Sequence, residues 1–274
     1  MSPMRRDSPR ERVLEHHRTG SGVERVGYPI EVRTAAIVRR EYVTPRMLRL
    51  TFGGAGLDAG VHTYQADDHI KVVFPDPDGT RRDPVHNPET LELDWPRPSP
   101  PSRRYTIRRY DAEARELDLD FVLHEGGLAS AWAAGTSVGD AAVIAGPAGA
   151  KAFPHHHDHY VFAIDATALP ALGRWLEEAP AGVSATAVVE TSEDAEHDYP
   201  LAERDGVRIV RLVRDGDGSR LADTVMGLEP APGRSFLVAA GEADAIKPLR
   251  SWSKDRMGAY ITGYWKRGVA DVAE

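Results

Sequence analysis

Six consecutive residues, Arg103-Arg104-Tyr105-Thr106-Ile107-Arg108, combine the side chains needed to hold an anionic ligand that carries a flat ring. A guanidinium can fork onto a phosphate, and an aromatic side chain beside a hydroxyl can line a planar heterocycle while hydrogen-bonding its polar edge. On a strand the same residues also make an ordinary exposed face of alternating charge, so the string alone does not choose between the two. The stretch Phe121-Val122-Leu123-His124-Glu125-Gly126-Gly127-Leu128-Ala129-Ser130-Ala131-Trp132 adds a second element: an alternating run, a glycine pair and a helix start. A helix that opens after such a turn presents unpaired backbone N–H groups where a pyrophosphate can sit. Small residues at Gly127, Ala129 and Ser130 allow the close approach this requires.

Other strings point elsewhere and fail on context. Gly135-Thr136-Ser137-Val138-Gly139 has the spacing of a hydrolase nucleophile elbow, which needs a strand before the serine and a helix after it. Here the helical Leu128–Ala134 precedes and the strand Asp140–Ala145 follows, so the order is reversed. His155, His156, His157 and His159 are dense enough to suggest a metal, since imidazole is a common ligand. Successive residues on an extended loop rarely converge on one ion, and a solvated loop without a metal site is expected. Gly53-Gly54-Ala55-Gly56 lacks the full glycine fingerprint and opens no periodic helix, so it reads as a loop.

Composition narrows the chemistry. The 274 residues include no cysteine, which removes disulfides, thiolate nucleophiles and iron–sulfur clusters and leaves redox work to an organic cofactor or a non-thiolate metal site. A formal net charge of −8 argues against a nucleic-acid partner bound through broad phosphate neutralisation. No stretch approaches the length of a membrane span and no secretory core stands at the N-terminus, so no membrane partner and a cytoplasmic location are expected.

The elements that must position these residues fall into two patterns. Period-two alternation bounded by Gly and Pro runs from Ile30 to Val143, with strands expected at Ile30–Arg39, Arg46–Phe52, Asp68–Phe74, Arg103–Tyr110, Glu116–His124 and Asp140–Ala145. In the fifth, Leu117, Leu119, Phe121 and Leu123 share one face. A Pro-rich excursion, Pro75 to Pro101, reads as a long surface loop. After Gly146-Pro147 come short apolar runs, Tyr160–Asp165, Val183–Glu190, Val207–Val213, Ser235–Ala239 and Ala259–Thr262. They alternate with helical Leu169–Ala179, Ser219–Met226 and Ala243–Arg256, the pattern of a parallel sheet covered on both faces. The expected organisation is a mobile N-terminal tail over 1–27, an antiparallel β-barrel over 28–150 and an α/β domain over 151–274.

Taken in order, these pieces resemble the siderophore-interacting proteins, a branch of the ferredoxin-reductase-like flavoproteins. Arg103-x-Tyr105-Thr106 is similar to the first flavin motif of that group, and Val122-Leu123-His124 through Ala129-Ser130 and Trp132-Ala133 to the second. Gly139-Asp140 with Gly146-Pro147-x-Gly149 resembles the closing strand of the barrel, and Asp165-Ala166-Thr167-Ala168-Leu169-Pro170-Ala171 the entry to the first nicotinamide-domain helix. Gly241-Glu242-Ala243 and Gly263-Tyr264-Trp265-Lys266-Arg267-Gly268 complete a match over about residues 28 to 268.

The resemblance implies an FAD-binding barrel followed by an NAD(P)H-binding-like α/β domain, with electrons passed from NAD(P)H, or a ferredoxin, through FAD to a ferric siderophore. It implies FAD contacts at Arg103, Tyr105, Thr106, His124, Gly127, Ala129 and Ser130, with His69 and Lys71 on the facing strand, and cofactor contacts at Asp165 and Thr167. Lys247, Arg250, Lys266 and Arg267 are the expected sites for an anionic ferric chelate, against an ordinary solvated helix face. A flavoprotein that tailors a small natural product, with FAD partly or wholly structural, and a non-enzymatic siderophore carrier are the alternatives. The chain departs from the family at Leu128, in a shortened glycine turn, at Ala166, where an acid is usual, and at Val238-Ala239, where an aromatic is usual. These departures lead to the expectation that NAD(P)H reduces bound flavin slowly.

Overall fold

Alternating apolar residues become strands that close on themselves in the first part of the chain. The computed structural model describes residues 6–216 and 218–269. Helix α1 (Pro9–Thr19) and strand β1 (Glu24–Gly27) come first, followed by β2 (Val32–Thr44), β3 (Met47–Gly53) and β4 (His69–Val73). A hairpin of β5 (Val85–Asn87) and β6 (Glu92–Asp94) precedes β7 (Ser102–Asp111), β8 (Glu116–Val122), helix α2 (Leu128–Gly135), β9 (Ala141–Ala145) and β10 (Gly149–Ala152). Six of these strands form an antiparallel closed barrel in the order β2-β3-β8-β7-β4-β9, which leaves no unpaired edge.

Pleating explains the barrel core. Leu117, Leu119 and Phe121 of β8 are buried with Ile37, Leu50, Phe52, Ile70, Val72, Ile107 and Ile144. The intervening Asp118 and Asp120 are buried as well, because cross-strand neighbours cover them. Arg49 forks onto Asp120 at 2.7 and 2.8 Å, while Arg109 Nε and Thr51 Oγ1 each donate to Asp118 at 2.7 Å. Such charge-assisted cross-strand pairs fix register as well as covering charge.

The structure departs from expectation at two places here. Residues 9–19 form a short helix, one of the two readings open for this segment beside a mobile tail, and residues 24–27 form a strand, which neither reading includes. Their order comes from partners far along the chain: β1 pairs with β10, and Arg6 donates to the carbonyls of Tyr28 and Ala148 and to Glu92. The Pro75–Pro101 excursion contains the β5–β6 hairpin, whose Leu93 packs with Ile30, Val73 and Val143 and with the adjoining Trp95.

The second part is a parallel sheet of β11 (His159–Asp165), β12 (Ser184–Thr191), β13 (Val207–Val213), β14 (Ser235–Glu242) and β15 (Gly258–Trp265), in the order β13-β12-β11-β14-β15. Its helices are α3 (Leu169–Glu178), α4 (Leu221–Met226), α5 (Ala243–Ile246) and α6 (Pro248–Ser253). Tyr160 and Phe162 pack on Trp175 of α3, at ring-centroid distances of 5.1 and 4.6 Å. The alternate Val161 and Ala163 pack with Leu221, Val225, Ile246 and Leu249 from the other helices. Both faces are therefore covered, which is why these strands read as unbroken apolar runs. The single helix expected over Ala243–Arg256 is two short ones, divided at Pro248, which has no N–H to continue the ladder.

Two compact units divide the chain: one holds the residues up to Leu14 and Arg25–Lys151, the other Glu15–Glu24 and those from Ala152 on. Among the described residues no helix is long and apolar enough to cross a membrane.

Candidate functional site

The end of β8 and the start of α2 form a shaped turn. Gly126 has φ +72, a left-handed conformation that glycine adopts without strain, and a Cβ there would meet open space. At Gly127 a Cβ would collide with the His124 ring, so this position must be glycine for the histidine to lie over the turn. The Ser130 hydroxyl accepts from the His124 N–H at 2.8 Å and ties the first turn of the helix back to the strand end. Gly127 is the N-cap, with no side chain capping the helix. The first-turn N–H groups of α2 thus lack an intrahelical acceptor and a side-chain cap.

Aromatic packing fixes this turn on the barrel. Tyr105 lies against Phe121 with ring centroids 4.1 Å apart, Phe121 against Trp132 of α2 at 5.8 Å, and Trp132 edge-on to Phe74 at 5.2 Å. Ala129 and Ala133 enter the barrel core beneath them. Burial pushes the Tyr105 phenol above its ordinary pKa, so the ring is neutral.

The strand partners sort the expected residues onto two faces. In the β4–β7 pair His69 lies opposite Thr106, Ile70 opposite Tyr105, Lys71 opposite Arg104 and Val72 opposite Arg103. Directly opposed residues share a face, so Arg103 and Tyr105 belong with the core residues Ile70 and Val72. Thr106, His69 and Lys71 share the other face, where the Lys71 ammonium lies 4.8 Å from the Trp95 ring centroid. Arg103 is half-buried, with Nη1 donating to the Ser102 carbonyl at 2.7 Å. The structure therefore brings Tyr105 to the aromatic layer under α2 and gathers His124, Gly127 and Ser130 in one turn, and it separates both from Thr106, His69 and Lys71 by the pleat. A glycine-lined, uncapped helix start near a guanidinium-bearing strand suits a diphosphate, so the donor set fits FAD.

The second unit treats its polar groups differently. Asp165, at the end of β11, is buried. Its Oδ1 accepts from the N–H and hydroxyl of Thr167 at 2.9 and 2.5 Å, and its Oδ2 from the Glu242 N–H at 2.8 Å and the Trp265 indole N–H at 2.7 Å. Burial raises its pKa, against hydrogen bonds that act to lower it. Four internal donors fill the carboxylate, and Asp165 thereby braces the ends of β11, β14 and β15. Gly241, at φ +149, lies where any Cβ would strike the Asp165 carboxylate. Glu242 caps α5 by accepting from the Ala245 N–H at 2.7 Å and receives the Arg267 N–H at 3.2 Å. Val238 and Ala239 are buried within the sheet.

The expected basic residues lie along α5, α6 and the end of β15. Lys266, just past β15, has Nζ 3.2 Å from Asp244, and Arg250 of α6 donates to the Ile261 carbonyl of β15 at 3.1 Å. Lys247 joins α5 to α6, and Arg267 follows Lys266. The histidine cluster is packed, in contrast to the expected solvated loop. His155 stacks on His17 at 3.7 Å and 9°, and burial pushes its pKa down to about 3, with the nearby His17 and His16 acting in the same sense. His159 bonds with Ser184 Oγ at 2.8 Å and His156 with the Gly20 carbonyl at 2.8 Å. Among the described residues no group of three or more His, Cys, Asp or Glu is arranged to hold a metal.

Sequence reasoning passed over Trp265 and Glu242 as individual site residues, and over Asp68. Asp68 is buried before β4, accepting from the N–H groups of Tyr64 and Gln65 at 2.6 and 2.9 Å and from the Tyr28 hydroxyl at 3.0 Å. The adjacent acids Asp67-Asp68 ahead of an apolar strand were the signal available.

Comparison with known proteins adds names to this geometry. A family model for a siderophore-interacting FAD-binding domain matches residues 36–151, and one for a siderophore-interacting protein matches residues 157–268. The NADPH-dependent ferric-chelate reductase of Escherichia coli K12 is 32% identical over 231 residues, spanning 82% of this chain and 88% of that protein. The ferric vibriobactin reductase of Vibrio cholerae is 33% identical over 262 residues, 92% and 94% of the two chains. A crystal structure of a siderophore utilization protein from T. fusca superposes with a TM-score of 0.85 at 36% identity, covering 92% of this chain and 98% of that one.

Proposed function

The chain belongs to the siderophore-interacting protein family, and from that premise we propose that it is an FAD-dependent ferric-siderophore reductase, taking electrons from a reduced nicotinamide nucleotide and delivering them to a chelated ferric ion. The observation that carries the reading is the uncapped start of α2 behind Gly126-Gly127, in the part of the chain matched by the FAD-binding model and on the same barrel as Arg103 and Tyr105. The relatives named as ferric-chelate and ferric vibriobactin reductases support the same substrate class.

When bound, FAD supplies the means to accept two electrons together and release them singly, which ferric iron requires. The protein's part is binding and orientation. In this reading the first-turn N–H groups of α2 and the Arg103 guanidinium hold the diphosphate. Tyr105 keeps a neutral, apolar surface at the ring, while Thr106 and His69 lie on the other face of the β4–β7 pair. Lys266, Arg267, Lys247 and Arg250 attract an anionic chelate through charges that salt screens. The same reading places the protein in the cytoplasm, where nicotinamide donors are kept reduced.

The test is reconstitution followed by iron trapping. Purified protein supplied with FAD turns yellow, NADH or NADPH bleaches the flavin, and a ferric siderophore restores the colour as a ferrous-specific chelator reports Fe(II). Failure to take up FAD removes the reading at its base. FAD uptake without reduction by any donor turns it toward a flavin held as scaffold or a carrier.

A further inference from the structure

We propose that residues 15–22 form an acid-labile strap on the second unit, held by the stacked imidazoles of His17 and His155 and loosened as pH falls below neutrality, short of any unfolding of the sheet. Strap and seat belong to the same unit. The His155 N–H donates to the His17 carbonyl at 2.8 Å, His156 Nε2 bonds with the Gly20 carbonyl at 2.8 Å, and the rings of His17 and His155 lie 3.7 Å apart and 9° from parallel. In the strap itself His16 is buried, with Nε2 3.2 Å from the Gly22 carbonyl and Nδ1 3.1 Å from the Glu24 carboxylate.

The seat has no place for a second proton. Among the described residues His155 Nε2 is buried with no hydrogen-bond partner, and its ring contacts His17 and, at 5.2 Å, Phe153. An imidazolium carries two N–H groups, so protonation leaves one of them charged and buried without an acceptor, and a charge on His17 or His16 adds repulsion. His157 Nδ1 is likewise buried without a partner among the described residues, its ring beside His156, Tyr160 and Phe236. Burial first, and the Arg234 and His156 charges second, hold His157 below its ordinary pKa, with Asp158 acting the other way. Lifting the strap exposes His155 to water, where an imidazole takes its proton near 6.5. Docking is therefore complete above that value and weakens about tenfold for each pH unit below it. The anchors on either side carry no imidazole: Arg6 donates to the carbonyls of Tyr28 and Ala148, and β1 pairs with β10, so loosening is confined to the stretch between them. Arg18 and Glu15 pair with each other on the exposed side of the helix.

Hydrogen exchange read by mass spectrometry on the full chain supplied with FAD tests the strap, with protection corrected for the intrinsic pH dependence of amide exchange. From about pH 7.5 to about pH 5.5 a peptide covering 15–22 is expected to lose about tenfold in protection, at both values remaining at least about tenfold less protected than peptides from β11 and β14. His155→Phe keeps a ring on His17 without a titrating group and is expected to cut the pH effect to under about twofold. Protection of the strap that does not change with pH, that equals that of β11 and β14 at both values, or that falls about tenfold in His155→Phe as well, overturns the proposal. Should that variant not fold, the wild-type chain still decides. A His155 ring whose NMR shifts titrate near 6.5 while strap exchange stays constant overturns the proposal, and a ring that stays neutral until the strap opens supports it.

Discussion

The start of α2 in the barrel and three turns of the sheet unit are handled in opposite ways. In the barrel, α2 begins at a glycine with no side chain capping it. In the sheet, the turn after β11 is capped by Asp165, the turn after β12 by a reciprocal Glu193–Glu196 box, and α5 by Glu242. A carboxylate supplied by the chain satisfies the N–H groups and favours the helix dipole permanently, whereas a glycine leaves both for a ligand. The α2 turn thus leaves its N–H groups open, whereas these three turns of the sheet are closed by the chain's own carboxylates, and α3, α4 and α6 start without a side-chain cap.

The comparison can be broken most forcefully at Asp165. Asp165→Ala strands the buried N–H of Glu242 and the Trp265 indole, and the second unit should lose about 3 kcal/mol of stability by calorimetry while FAD remains bound. Loss of FAD on that change would show that the units are not independent in this respect. Arg103→Ala is the converse: FAD affinity should fall by about 1–3 kcal/mol in a fluorescence titration, with the melting of the second unit unmoved.

Acid sharpens the contrast through the stacked histidines. The unfolded chain's imidazole takes its proton near 6.5, whereas folded His155 resists it down to about 3. Its stabilising contribution is therefore complete above the unfolded value and is lost as pH falls through 6.5 toward 3. Between pH 7 and 5 the second unit should lose about 1–2 kcal/mol, and His155→Phe should flatten that slope in a series of thermal melts. The smallest effect belongs to the surface: Lys266→Glu should weaken a ferric chelate by under about 1 kcal/mol, more than Lys151→Glu does, and added salt should erase the difference.

What the sequence made legible follows from where each signal is local. The strands of both units could be placed because pleating and two-sided burial write themselves into neighbouring residues, as in Leu117, Leu119 and Phe121. The α2 turn was legible because Gly126-Gly127 is its own signature. The role of Asp165 was not, since its donors at Glu242 and Trp265 come from distant strands that only the folded sheet brings near. For the same reason His155 looked solvated: its covering partner, His17, belongs to a helix with little amphipathic pattern of its own.

The segment that holds α1 and β1 constrains the order in which contacts form. β1 awaits β10 to pair, and the Gly20 carbonyl awaits His156, 136 residues downstream. These contacts close over a long span of chain, and loop closure over such a span is entropically slow, so they form late in folding. During refolding, cleavage by added protease within residues 9–27 is therefore expected to persist until the β1–β10 pair and the His17–His155 stack have formed.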